Sequence, residues 1–111
     1  MNIEITSLGI EDIKNIRSYI SDTLKNPMAA EQLIKKFRQT ILLLAENPLI
    51  GKSLKSKIQQ GTSFRFFTCD NYLIFYVPEN TKIVIHRIIY GRRNYARLFF
   101  DSEIKKDEEK D

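Results

Sequence analysis

The sequence predicts an α+β fold: an N-terminal strand, then an antiparallel helical hairpin packed on one face of a small antiparallel sheet. Three observations carry that prediction. Apolar residues recur at spacings of three and four from Ile10 to Leu44, the period of amphipathic helices. After Gly51 the pattern gives way to three runs rich in Ile, Val, Phe and Tyr, which suit strands. Turn-forming Asp70-Asn71 and Pro78-Glu79-Asn80-Thr81 separate those runs closely enough for an antiparallel meander. Helices that precede a sheet, rather than alternate with its strands, make an α+β domain.

Each element has its own justification. Asn2–Thr6 places Ile3 and Ile5 on one side and Glu4 on the other, a short strand. Thr6 or Ser7 then supplies a hydroxyl to cap a helix. In that helix Ile10, Ile13, Ile16, Ile20 and Leu24 form one stripe, with Glu11, Asp12, Lys14, Arg17 and Asp22 on the other faces. Asn26-Pro27 ends it and starts the next, because Asn caps well and Pro suits the first helical position. The second helix buries Ala30, Leu33, Ile34, Phe37, Ile41 and Leu44 and stops near Asn47-Pro48. So short a link makes the two helices an antiparallel hairpin.

Lys52–Gln60 reads as a basic connector, followed by strands over Thr62–Thr68, Tyr72–Val77 and Lys82–Tyr90. The last is apolar enough to lie inside the sheet. Its alternation puts Ile83, Ile85, Arg87 and Ile89 on one side and Val84, His86, Ile88 and Tyr90 on the other. The strand-borne cations are expected on the face that lacks helices.

A chain of 111 residues, 42% hydrophobic and 29% charged, has the size and composition of one soluble domain. Residues 1–100 form that domain, and residues 101–111 read as a charged, flexible tail. No apolar run is long enough to span a bilayer, and MNIEITS does not read as a secretory signal. One Cys excludes an internal disulfide, so a reducing cytoplasm is the expected compartment.

Charge is segregated. Residues 1–50 hold six Lys/Arg and six Asp/Glu, whereas residues 51–100 hold nine Lys/Arg against Asp70 and Glu79. The last eleven residues hold six acids and three Lys. A basic face of this kind meets a polyanionic or acidic partner. VIHRIIYGRRNYARLFF (84–100) concentrates the question, since its four Arg have no carboxylate within the run.

The chemistry the sequence excludes is broad. Its four Gly form neither a P-loop nor a dinucleotide fingerprint. One His and one Cys cannot build an ordinary zinc site, so neither a metal nor a cofactor is expected. Arg65 either binds an anion or pairs with Asp70 or Glu79. Arg87 is either a structural hydrogen-bonding residue or a functional one. Arg92 and Arg93, following Gly91, are the stronger functional candidates.

Four stretches together carry a family resemblance: IEDIKNIRSYI, NPMAAEQLIKKFRQTILLLAENPLIGK, FRFFTCDNYLIFY and IVIHRIIYGRRNYARLF. Over about residues 2–100 the chain resembles the RelE/ParE toxins of bacterial type II toxin–antitoxin systems. The resemblance implies a small cytoplasmic protein neutralised by an acidic, partly disordered antitoxin encoded beside it, with which it forms a hetero-oligomer. RelE-like members cleave messenger RNA on the ribosome; in that case Lys52, Lys55, Arg65, Arg92, Arg93 and Tyr95 would be the catalytic candidates. Some of those members carry Glu just before the Gly that follows the hairpin, where this chain has Ile50. They also carry a C-terminal Tyr, where it has Phe99-Phe100. ParE-like members poison DNA gyrase without nuclease activity, and NYLIFY and Gly91-Arg92-Arg93 are similar to that branch. The ParE-like reading implies target binding by Arg65, Arg87, Arg92, Arg93 and Arg97. Antitoxin would be held by Lys52, Lys55, Lys57, Leu98, Phe99 and Phe100. A nucleic-acid-binding module without toxicity is the reading outside the family.

Overall fold

The computed structural model describes residues 1–54 and 63–91. Strand β1 (Asn2–Ile5) leads into helix α1 (Ser7–Ser18), a π-helical turn (Tyr19–Thr23) and helix α2 (Pro27–Glu46). Strands β2 (Lys52–Ser53), β3 (Arg65–Cys69), β4 (Tyr72–Pro78) and β5 (Lys82–Tyr90) follow. The sheet has the order β1-β5-β4-β3-β2. It is antiparallel except at one edge, where β1 runs parallel to β5. The interior position of β5 agrees with its composition, with β4 in the middle.

The caps are those the sequence offers. Thr6 Oγ1 accepts from Gly9 N at 3.1 Å, and Asn26 Oδ1 accepts from Ala29 N at 3.1 Å with Pro27 behind it. Each satisfies a backbone donor that the first helical turn leaves open. Beyond Ser18 the helix loosens, so that Leu24 N donates to Tyr19 O and Asn26 N to Ile20 O. The wider turn rotates the stripe, and Leu24, expected in the core, is 55% exposed. Ile10 also lies outside the buried stripe.

Helix α2 supplies most of the main core. Leu33, Phe37, Ile41 and Leu44 pack on Ile74, Tyr76, Ile83, Ile85 and Ile88, with Ile13 and Ile16 of α1 and Ile20 of the π-helical turn at the margin. A second apolar cluster, Leu54, Phe66, Leu73 and Phe75, occupies the opposite face of the sheet. That face is apolar as well as cationic: the register sets Lys52 beside Phe66 and Arg87 beside Phe75, whereas Arg65, set beside Tyr76 on the helical side, departs from the expectation. Leu73–Tyr76 is a continuous buried run, the pattern of a strand covered on both faces.

The predicted alternation of β5 also fails midway. Phe75 pairs with Arg87 but Tyr76 pairs with Ile85, leaving His86 as an extra residue. Such a bulge shifts the side-chain phase by one position. Ile83, Ile85 and Ile88 therefore share the helical core, while Ile89 joins the second cluster.

Candidate functional site

Of the residues expected to bind a target or antitoxin, the structure places Lys52, Arg65 and Arg87. Lys55, Lys57, Arg92, Arg93, Tyr95, Arg97, Leu98, Phe99 and Phe100, together with the 101–111 tail, lie outside the described residues.

Arg65 and Arg87 are not brought together. Arg65 pairs in register with Tyr76, which puts it on the helical side of β3, away from Phe64 and Phe66. Its Nη1 donates to Gly51 O at 2.8 Å and to Leu49 O at 3.3 Å. Neither Asp70 nor Glu79 is its partner, because Asp70 instead accepts from Lys36 Nζ at 3.1 Å. Beside it the buried Tyr76 hydroxyl donates to Pro48 O at 2.7 Å and accepts from Gly51 N at 2.9 Å. Arg65 and Tyr76 thus clamp the Pro48–Gly51 turn. Burial is the main cause that lifts the Tyr76 phenol above its ordinary 10.0; its Gly51 hydrogen bond and the Arg65 charge pull the other way. It remains a neutral donor. Lys52, one strand out, is exposed beside this clamp.

Arg87 is not unpaired, as its own stretch of sequence suggests. Its Nε donates to Asp12 Oδ2 at 2.8 Å and its Nη2 to Asp12 Oδ1 at 3.0 Å, a two-point guanidinium–carboxylate contact. Asp12 Oδ2 also accepts from Ile88 N at 3.0 Å. Strand β1 ends at Ile5, so α1 takes over the edge of β5 beyond it. Thr6 N donates to Ile85 O, Thr6 Oγ1 to His86 O, and Asp12 accepts from Ile88 N. Gly9 makes that approach possible, since a Cβ there would lie 2.9 Å from Ile5 Cγ2 and 3.2 Å from Ile85 O.

Asp12, assigned from sequence to a solvent face, is a residue that reasoning missed. The signal was present: Gly9, Asp12, Ile13 and Ile16 share one helical stripe, and a carboxylate on such a stripe calls for a buried donor.

A groove of about 890 Å³ lies between the π-helical turn, α2 and the β3–β4 turn, and it too was missed. Ile16, Ile20 and Leu33 contribute apolar lining; Tyr19, Tyr72 and Tyr90 add phenols. Tyr72 and Tyr90 meet edge to face at 5.3 Å. Burial first, then the nearby Tyr90 and Tyr19, raise the Tyr72 phenol above 10.0. Gly91, at φ +125°, donates to Asn71 O at 2.9 Å beside this groove.

Other chemistry finds little support. Burial raises the Cys69 thiol above 9.0 more than its Thr40 hydrogen bond lowers it, which disfavours the reactive thiolate. Among the described residues, no group of three His, Cys, Asp or Glu is placed to hold a metal, and no helix is long and apolar enough to cross a membrane.

The family model described as "ParE toxin of type II toxin-antitoxin system, parDE" matches residues 3–95. No curated protein matches the chain. A solved structure described as the chromosomal ParDE toxin–antitoxin system of P. aeruginosa is similar in fold. Its TM-score is 0.67 at 18% identity, over 83% of this chain and 97% of that one.

Proposed function

The chain belongs to the ParE toxin family of type II toxin–antitoxin systems, and from that premise we propose that it arrests growth by binding DNA gyrase. The observation that carries this reading is the family match over residues 3–95. The exposed Ile50 stands where some ribonuclease members carry Glu, which adds to it. On this reading the protein is a binding inhibitor that needs no cofactor. Target contact falls to the cations that follow Gly91, namely Arg92, Arg93 and Arg97. Arg65 and Arg87, held by Gly51 O and Asp12, contribute charge from fixed positions.

A cognate antitoxin neutralises it. That partner is acidic and partly disordered, and it folds over Lys52, Lys55, Lys57 and Leu98–Phe100 as it binds, in the cytoplasm.

Expression without antitoxin is expected to filament cells and induce the DNA-damage response, and the purified protein is expected to block supercoiling by gyrase. Messenger RNA stays intact. Ribosome-dependent cleavage of transcripts would replace this reading with the RelE-like one. Reversing Arg92 and Arg93 to Glu should abolish growth arrest in a protein that still folds, since exposed charge changes usually alter stability by less than about 0.5 kcal/mol. Full toxicity of the soluble double variant would remove the pair from the target site.

A further inference from the structure

The outer edge of β1 combines three features that no other described edge shares. The first is a set of open backbone groups. Asn2 N donates to Thr81 O and Thr6 N to Ile85 O, so even-numbered residues face β5 in this parallel pair. The period of two then turns the N–H and C=O groups of Ile3 and Ile5 outward. Among the described residues, none bonds the Ile3 or Ile5 amide from that outer side.

The second is an apolar cleft beside the edge. Ile3, Ile5, Ile13, Ile34, Phe37 and Ile41 line a space of about 290 Å³ between β1 and the two helices. Ile3 remains 38% exposed and Leu42, also at the cleft, 51%. Natural edge strands are usually blunted by Lys, Pro or a bulge. On its cleft-facing side β1 carries Ile3 and Ile5 instead.

The third is Arg38, exposed at the rim of that cleft. Lys35, one turn earlier on α2, is exposed as well, whereas Lys82 pairs with Glu4 at 3.1 Å and Arg87 with Asp12 at 2.8 Å. Among the described residues Arg38 has no ion-pair partner.

We infer that this edge is a β-augmentation site for an extended acidic segment of a partner protein, which adds a sixth strand outside β1. Its backbone bonds Ile3 and Ile5, alternate apolar side chains enter the cleft, and a carboxylate meets Arg38. Backbone pairing supplies affinity in such sites, and the alternate side chains supply selectivity. The proposed site does not depend on which target the toxin binds.

The test uses the full chain, isotopically labelled, and a short capped peptide with Val, Val and Glu at alternate positions and Thr between them, so that its Glu shares the cleft face with Arg38. Titration should shift the Ile3 and Ile5 amides and slow their hydrogen exchange. N-methylation of the peptide at alternate residues should remove binding, because it blocks one hydrogen-bonding edge. Arg38→Glu should weaken the Val/Glu peptide by about tenfold or more, the loss of one charge-assisted contact. The same variant should accept a Val/Lys peptide. Shifts confined to the Tyr19–Tyr90 groove would overturn the inference, as would affinity unchanged by Arg38→Glu. So would Ile3 and Ile5 amides already protected in the free protein: a monomeric mass would then identify the chain's own tail as the occupant, and a dimeric mass a second copy.

Discussion

At residue scale, two contacts shielded from solvent wholly or in part decide how this chain closes. Asp12 satisfies both Arg87 and Ile88 N while only 14% exposed on its side chain. Truncating it leaves a guanidinium and an amide without their acceptor. Loss of one partner in a fully buried pair costs about 3–5 kcal/mol. Arg87 is 33% exposed, and solvent recovers part of that, so Asp12→Ala should cost about 2 kcal/mol in urea unfolding. A midpoint equal to wild type would show the contact to be idle. The Gly51–Tyr76 contact is tighter. A Cβ on Gly51 would lie 2.5 Å from Tyr76 Oη and 2.8 Å from Phe66 O. Gly51→Ala should therefore destabilise by about 1–3 kcal/mol through overpacking, and the same variant combined with Tyr76→Phe should recover part of the loss. Non-recovery would place the strain at the Phe66 carbonyl. Gly51 reads in sequence only as the point where the helical pattern gives way to strands. Its need arises from Tyr76, twenty-five positions on, so local pattern could not reveal it.

At element scale, what was legible followed a period, and what was not followed an interruption of one. The caps at Thr6 and Asn26, the second helix and the Lys82–Tyr90 strand all lie where propensity and spacing place them. The bulge at His86 and the π-helical turn at Tyr19–Thr23 each add one residue to a regular repeat. No residue type marks either site, so the alternation beyond His86 and the stripe beyond Ile20 were misread. The interruption after α1 leaves Lys25 at φ +54°. A non-glycine residue in the left-handed region costs about 1 kcal/mol or more, and Gly avoids most of that. Lys25→Gly should thus raise stability by about 0.5 kcal/mol despite the extra freedom of its unfolded chain. A fall in melting temperature would show that Lys25 makes a compensating contact.

At the scale of the whole molecule, folding redistributes the charge that sequence segregates. Lys82 and Arg87 come from the basic half, yet they pair with Glu4 and Asp12 of the balanced half. Among the described residues the free basic surface is therefore smaller than the linear count suggests. The same packing fixes the alkaline limit of the fold. Burial is the leading cause that raises Cys69 above 9.0 and both Tyr72 and Tyr76 above 10.0, and the Glu4 hydrogen bond raises Lys82 above 10.5. In every case the folded chain holds its proton at a pH where the unfolded chain has begun to release it. The unfolded state then binds fewer protons, so stability falls as pH rises. The stabilisation is complete below about pH 8 and declines from about pH 9, first through Cys69 and then through the tyrosines. Urea midpoints measured from about pH 7 to 11 should show that fall. Cys69→Ala should remove its onset near pH 9, and Tyr76→Phe should flatten the part above pH 10, although Tyr76→Phe is less stable at neutral pH. A midpoint that stays level through about pH 10.5 would mean that these side chains remain hydrated in solution and that the core around Cys69 and Tyr76 is open to water.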